Sequence, residues 1–283
     1  MPFVTLCIRT EPFYRRAAFE AGFRRLGYEI RDGLREQHHH SFNGGIPDSR
    51  DDILCLWNLK HGPAEDAAKK FEDAGGTVLV VENGYLQRED KTQYAISVHA
   101  HNGDGWYPIR AEEDRFSRLG FRVQPWRLSG NHILVCGQRG VGSERMRSPD
   151  GWESTTVEKL QRKFPDREIR FRPHPGNFAP RVPLERDLAG AHACVIWSSA
   201  SGVRALVEGV PVFYNAPSWI CQDASCAVRY FHRDFMVPDY SLVHVEGVLN
   251  HMAHGQWTPD EIATGEPIAR MRDLNWGEEQ WRL

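Results

Sequence analysis

Residues 168–176 read EIRFRPHPG, and residues 191–202 read AHACVIWSSASG. Each stretch begins with a run that is typical of a short β-strand and ends in a polar turn. Residues 203–215 then predict a helix, a Gly-Val-Pro turn and another strand. A repeated strand–turn–helix order of this kind indicates an α/β fold with parallel strands.

The two polar turns carry groups that suit a phosphate. Ser198, Ser199 and Ser201 lie between an apolar strand and a helix start, where hydroxyls and backbone N–H groups can face an anion. On the neighbouring strand end, Arg172 and His174 can neutralise a second phosphate charge. Each turn alone is also typical of an ordinary N-cap or loop. Together, one βα unit apart, they predict a site for a nucleotide mono- or diphosphate.

This pair of motifs resembles the nucleotide-sugar half of GT-B glycosyltransferases, and most closely the capsule-polysaccharide, Kdo-transferase and bacterial sialyltransferase group. Members of that group carry a His-Pro motif and a Ser-Ser motif that contact the donor phosphate. The resemblance implies that His174 and Pro175, with Ser198 and Ser199, bind the donor. A third likeness is to the group's Glu-Asp-Gly-aromatic-Leu motif, since residues 82–86 read ENGYL. It implies that Glu82 is the catalytic base.

Two positions depart from that group's pattern. Asn83 stands where the second acidic residue is usual. Arg204 begins an Arg-Ala-Leu triplet where many GT-B enzymes have Glu-Ala-Leu, whose Glu holds the ribose hydroxyls. An arginine cannot accept hydrogen bonds from a diol, but it can pair with a phosphate or a sugar carboxylate. We therefore include Arg204 among the predicted donor-binding residues.

Strands and helices alternate in both halves of the chain. The predicted strands are 3–8, 52–57, 77–81, 94–98, 132–136, 168–172, 191–197 and 212–215, and the predicted helices are 14–26, 63–74, 112–119, 154–164, 184–189 and 202–208. This order predicts a GT-B-like α/β fold, with two doubly wound, Rossmann-like parallel-sheet domains that face a central cleft. We place an acceptor-side domain at residues 1–126 and the nucleotide-sugar domain at 127–265. By analogy with GT-B proteins, residues 266–283 form a tail that packs back on the first domain.

A glycine-rich segment follows the strand at 132–136. Residues 137–142 read GQRGVG, which matches neither the dinucleotide-binding motif nor the P-loop. We interpret it as the first donor-side loop, in which Gly137 and Gly140 shape the turn and Arg139 lies near the phosphates. A flexible loop between the domains is the alternative.

Residues 99–107 read HAHNGDGWY and are the candidate acceptor platform. Trp106 can stack on a ring while His101 and Asn102 bond to its edges, and Asp104 is a rival to Glu82 as base. The alternative is an Asn-Gly turn that a tryptophan anchors. Residues 38–40 are three histidines, but adjacent side chains cannot all reach one ion, so we predict no metal site and assign His40 to the acceptor.

Composition limits the functional classes. The 283 residues are 41% hydrophobic and 26% charged with a net charge of −3, which is ordinary for a soluble protein and gives no overall basic field for nucleic acid or membrane. No apolar run approaches the roughly 18 residues of a membrane span, and the first residues predict a strand, not a signal peptide. Four of the six cysteines lie in apolar runs and none has CxxC spacing, so we expect a reducing, cytoplasmic location.

The sequence thus predicts a glycosyltransferase that uses a UDP- or CMP-sugar and no cofactor. The phosphate-binding residues stabilise the leaving nucleotide, and Glu82 takes the proton of the attacking hydroxyl, most simply with inversion. Because no Asp-x-Asp motif stands at a convincing strand end, we expect metal independence. The acceptor is either a surface glycan or a hydroxymethylated pyrimidine of phage-type DNA, flipped out of its duplex. A sugar-nucleotide epimerase and a non-catalytic nucleotide-binding module remain as alternatives, the latter because of Asn83 and Arg204.

Overall fold

The computed structural model describes residues 1–10, 13–33, 45–86, 92–110, 112–176, 182–228 and 240–273. Within them the strands are β1 (Phe3–Cys7), β2 (Glu29–Asp32), β3 (Ile53–Trp57), β4 (Thr77–Asn83), β5 (Tyr94–Val98), β6 (His132–Cys136), β7 (Glu168–Arg172), β8 (Ala191–Ile196), β9 (Val212–Tyr214), β10 (Cys226–Ala227) and β11 (Gln256–Trp257). The helices are α1 (Phe13–Arg25), α2 (Pro63–Asp73), α3 (Arg115–Arg118), α4 (Trp152–Lys163), α5 (Leu184–Leu188), α6 (Ala200–Val207), α7 (Leu242–Ala253), α8 (Pro259–Thr264) and α9 (Glu266–Asp273). None of these helices is both long enough and apolar enough to cross a membrane.

Contacts divide the chain into two compact units. The first unit comprises Met1–Ala111, Gly142–Arg145 and His254–Leu283, and the second comprises Glu112–Val141 and Met146–Ala253. Each unit contains one β-sheet. The α/β fold class predicted from the sequence is therefore confirmed.

The sheet of the first unit has the strand order β11-β5-β4-β3-β1-β2. Strands β2, β1, β3 and β4 are parallel, whereas β5 is antiparallel to β4 and β11 is antiparallel to β5. The prediction of a wholly parallel sheet in this half is therefore wrong. The physical reason is the connection over residues 84–93, which is shorter than the roughly dozen residues that a parallel crossover needs.

Both faces of this sheet are covered, which explains why its inner strands β1 and β3 read as nearly continuous apolar runs. Val4 and Leu6 of β1 belong to one core cluster, and Phe3 and Cys7 belong to the cluster on the opposite face. The first cluster includes residues of α1, α8 and α9, and the second includes residues of α2. Thr258 caps α8 in a reciprocal capping box that Glu261 completes.

The sheet of the second unit has the order β10-β9-β8-β6-β7, and all of its strand pairs are parallel. The parallel sheet predicted for this half is confirmed. Ile133 and Val135 of β6 pack with Trp152 and Leu160 of α4 on one face. On β8, the helix α6 begins against the strand end, since a Cβ on Gly202 would lie 2.6 Å from Ile196 Cδ1. This close contact fixes the start of α6 beside the end of β8.

Candidate functional site

The three turns that the sequence singles out meet at one edge of the second unit's sheet. Strands β7, β6 and β8 are parallel neighbours, so their carboxyl ends lie side by side. The N–H of Gly137, after β6, donates to the carbonyl of Arg172 at the end of β7 (2.8 Å). On the other side, Gln138 Nε2 donates to Ser198 Oγ after β8 (3.4 Å). We call the predicted residues of these turns the edge cluster: Gly137, Arg139, Gly140, His174, Pro175, Ser198, Ser199 and Ser201.

Two glycines allow the first turn to approach its neighbour. A Cβ on Gly137 would lie 3.1 Å from the backbone nitrogen of His174 and 3.3 Å from the carbonyl oxygen of Arg172. Gly140 has a φ of 63°, in the left-handed region that favours glycine. Side chains at these positions would displace the turn that carries Arg139.

A hydrogen bond to His174 determines which nitrogen of its ring carries the proton. The N–H of Gly176 donates to His174 Nδ1 (2.9 Å), so the neutral imidazole carries its proton on Nε2. Although the residue is exposed, the turn removes part of the water around the ring. This desolvation, together with the charge of Arg139, lowers the pKa of His174 below its usual value. At neutral pH the side chain is therefore an uncharged Nε2–H donor.

Arg139 supplies the positive charge of the edge cluster. It is exposed and forms no ion pair with a residue in the described part of the chain. Its charge contributes to the lowered pKa of His174. A cation and an N–H donor at adjacent turns form a pair that suits an anionic oxygen.

The serines form the start of α6. Ser199 is its N-cap, and Ser199 Oγ accepts from the N–H of Ser201 (3.2 Å) and from its hydroxyl (2.8 Å). The capping uses the lone pairs of Ser199, so its own O–H proton points elsewhere and can be donated. Ser198 is tied to the glycine-rich turn through Gln138. The helix start therefore adds a hydroxyl donor and a positive dipole end to the cluster.

Arg172 and Arg204 are already paired with carboxylates. Arg172 forms a largely buried ion pair with Asp187 and donates to the carbonyl of Val182 (2.8 Å). Arg204 lies one turn into α6, with Nη2 at 2.9 Å from Glu208 and Nε at 3.5 Å from Glu185. Because both charges are neutralised, Arg139 is the better supported cation for a phosphate.

The predicted base, Glu82, belongs to a separate hydrogen-bond network in the first unit. Tyr85 donates its hydroxyl to Glu82 Oε1, and the Tyr85 oxygen accepts from the N–H of Asn102 (3.0 Å). Tyr107 donates to the carbonyl of Asn102 (3.0 Å). Burial, and next the charge of Glu82, raises the pKa of both tyrosines, so both remain protonated donors. Glu82 Oε2 has no hydrogen bond to a described residue and is the oxygen available to accept a proton.

The candidate acceptor loop is a structured turn over the first unit's sheet. Asn102 is buried with a φ of 56°, and its Oδ1 accepts from the N–H of Gly103 (2.9 Å). Trp106 packs against the core and meets the ring of His99 edge-on, with centroids 4.4 Å apart. Asp104 forms an ion pair with Arg145. These contacts are those of an Asn-Gly turn that a tryptophan anchors.

Two histidines, His101 and His40, are also predicted to bind the acceptor. His101 is nine-tenths buried, and its Nδ1 has no hydrogen-bond partner among the described residues. His40 lies outside the described residues. In the described part of the chain, no three His, Cys, Asp or Glu side chains are arranged to hold a metal ion.

Tyr85, Tyr107 and Gln138 take part in these two sites without being predicted. The signal for Tyr85 was present, because it is the aromatic residue of the ENGYL segment and carries a hydroxyl close to Glu82. Tyr107 lies in the quoted stretch 99–107, but nothing in the sequence indicated its hydrogen bond to the carbonyl of Asn102. Gln138 gave no signal, since its partner Ser198 is 60 residues away.

No family model matches this chain, and no curated protein matches it in sequence. In structure the chain is similar to Thermosulfurimonas dismutans KpsC, beta Kdo 2,7 transferase, with a TM-score of 0.55 and 14% sequence identity, over 97% of this chain and 99% of that chain. Thermosulfurimonas dismutans KpsC, beta Kdo 2,4 transferase gives a TM-score of 0.49 and 13% identity, over 88% of this chain and 89% of that chain. The first comparison shows that this chain shares its fold with a solved transferase.

Proposed function

We propose that this protein is a glycosyltransferase that moves a sugar from a nucleotide-sugar to an acceptor hydroxyl. The observation that carries the proposal is the edge cluster, where His174 Nε2–H, the Ser199 hydroxyl and the Arg139 cation stand at the ends of three adjacent parallel strands. The carboxyl edge of such a sheet is where open α/β proteins bind ligands. The shared fold with a beta Kdo 2,7 transferase supports the same class.

In this proposal the edge cluster holds the phosphate of a UDP- or CMP-sugar. The hydrogen-bond donors of the edge cluster stabilise the negative charge that develops on the departing nucleotide. This stabilisation is the largest contribution to catalysis expected for such a site. His174 contributes a neutral hydrogen bond, and Arg139 contributes the positive charge. No metal ion has a part in the proposed reaction.

Glu82 is the proposed general base. Its Oε1 is held by Tyr85, so Oε2 takes the proton of the acceptor hydroxyl as that oxygen attacks the anomeric carbon. The bond to the nucleotide phosphate breaks as the new glycosidic bond forms, which inverts the configuration at that carbon. Asn83 is exposed and is not needed for this step.

The acceptor that we propose is a glycan hydroxyl. A net charge of −3 offers no general attraction to the phosphates of duplex DNA. The fold similarity is to a transferase of Kdo, a sugar. Hydroxymethylated DNA is kept as a comparison in the test.

A screen of UDP-, CMP- and GDP-sugars tests the proposal, with nucleotide release and product mass measured with glycan acceptors and with hydroxymethylated DNA. We expect release of UDP or CMP together with a glycosylated product. Glu82→Gln should keep donor affinity and lose turnover, and His174→Ala should weaken donor binding by about tenfold. Isomerised donor without nucleotide release would identify an epimerase instead. Full turnover by Glu82→Gln would exclude it as the base.

A further inference from the structure

Arg15 occupies a distinct position at the carboxyl edge of the first unit's sheet. It lies in the first turn of α1, the helix that follows β1. Its Cζ is 3.7 Å from the ring centroid of Trp57, the last residue of β3, and 5.7 Å from that of Tyr94, the first residue of β5. Two aromatic rings from different strands therefore hold the guanidinium at this edge.

Unlike its neighbours, Arg15 has no carboxylate partner in the part of the chain that the structure describes. Arg16, Arg24 and Arg31 each pair with a carboxylate at 2.8 to 3.0 Å. Arg15 forms no ion pair or hydrogen bond with a residue in the described ranges, and its Nε is sealed from solvent without an acceptor. A partly buried cation without a counter-charge requires an explanation, and a bound anion is one.

The stacked geometry leaves the guanidinium suited to one kind of ligand. Its Cζ lies over the Trp57 ring, 3.7 Å from the centroid, and the side chain is partly exposed. A planar fork of N–H donors matches the two oxygens of a carboxylate or a phosphate. A lysine ammonium would provide the charge without the fork or the stacking.

The position relative to Glu82 connects this site with the acceptor. Trp57 of β3 pairs with Val81 of β4, and Glu82 is the next residue of β4. Val81 lies in the core cluster on the α1 side, and successive residues of a strand face opposite sides. An acceptor that reaches both Arg15 and Glu82 therefore lies across the strand ends.

We propose that Arg15, supported by Trp57 and Tyr94, binds the carboxylate or phosphate of an anionic acceptor. The assignment of this anion to the acceptor rests on the proposed glycosyltransferase function. The existence of the anion site does not, because it follows from the unpaired guanidinium and its aromatic support.

The test is a binding titration by ligand-observed NMR with the full-length protein, using glucuronate, glucose 6-phosphate and glucose as probes. An Arg139→Gln/His174→Ala background removes anion binding at the edge cluster. We expect at least one anionic sugar to bind about tenfold more tightly than glucose, and the stronger of the two identifies carboxylate or phosphate. Arg15→Met should remove this difference, and Arg15→Lys should retain part of it.

Arg24→Met is the matched control, because it removes a charge from the exposed part of the same helix. It should leave the preference for the anionic sugar unchanged. Equal binding of all three probes, or an anion preference that survives Arg15→Met, would overturn the proposal. Arg15-dependent binding without any sugar transfer would support this site and count against the glycosyltransferase proposal alone.

Discussion

At the scale of single residues, the edge cluster depends on which nitrogen of His174 carries the proton. The N–H of Gly176 occupies Nδ1, and Arg139 disfavours the charged imidazolium. The sequence indicated the imidazole and the serines, because they follow strand-like runs directly. It could not indicate that Arg172 is neutralised by Asp187, since that pairing depends on how α5 packs beside β7.

We predict that Arg139→Gln raises the pKa of His174 toward its usual value, because one of the two causes of its depression is removed. A titration of ring ¹⁵N shifts measures this pKa and identifies the Nε2–H tautomer. Arg170→Gln is the control, as Arg170 bonds to Glu168 on the same strand edge. An unchanged pKa in Arg139→Gln would show that the arginine does not act on the ring.

The folded protein favours the neutral His174, so this group stabilises the fold above the ordinary histidine pKa of about 6.5. That contribution decreases as the pH falls below this value toward the lower folded-state pKa. The free energy of unfolding of His174→Ala should therefore decline less between pH 7 and pH 5 than that of the native chain. Urea titrations at the two pH values measure the difference, and an equal decline would contradict the assignment.

Tyr85 offers a second prediction at this scale. Tyr85→Phe removes the hydrogen bond that orients Glu82 while keeping the buried ring. We expect kcat to fall about tenfold or more with little change in KM for the donor. Tyr107→Phe, which breaks a bond one step further from Glu82, should have a smaller effect. Equal losses in both variants would indicate a general effect on stability.

At the scale of elements, local pattern predicted strands that are buried over their whole length, such as β5 and β6, and also the partly exposed β7. The bounds 94–98, 132–136 and 168–172 agree with β5, β6 and β7. The short strands β2, β10 and β11 were not predicted, because two to four residues carry no periodicity and their strand state comes from pairing. The helix α7 was also missed, although its buried residues Val245, Leu249 and Met252 recur at helical spacing.

The start of α6 gives a prediction at the element scale. A Cβ at Gly202 would lie 2.6 Å from Ile196 Cδ1 and 2.8 Å from Trp219, so Gly202→Ala should destabilise the fold by about 1–3 kcal/mol. Gly247→Ala is the matched control in α7, where the new methyl group meets nothing within 4 Å. It should stabilise by about 0.5–1 kcal/mol. Urea denaturation measures both, and a neutral Gly202→Ala would contradict the tight contact.

At the scale of the whole molecule, long-range contacts determine the features that could not be predicted from the sequence. The antiparallel β5 follows from the length of a connection, which is visible in sequence only once β4 and β5 are known to be neighbours. Residues 142–145 belong to the first unit, where the carbonyl of Gly142 accepts from the N–H of His61 (2.7 Å). No local sequence pattern marks this segment, which belongs to the first unit although the residues on either side of it belong to the second.

Binding of the nucleotide phosphate by the edge cluster is tested by ¹H–¹⁵N correlation spectra of the protein titrated with UMP and CMP. We predict that the largest shift changes occur at Gly137 to Gly140, at His174 and at Ser198 to Ser201, and that His174→Ala weakens them. The opposite edge of the same sheet has its own groove, lined by Gly130, Lys163 and Arg167 among others. Shift changes confined to that groove, or to the first unit, would contradict the claim that the edge cluster binds the nucleotide phosphate.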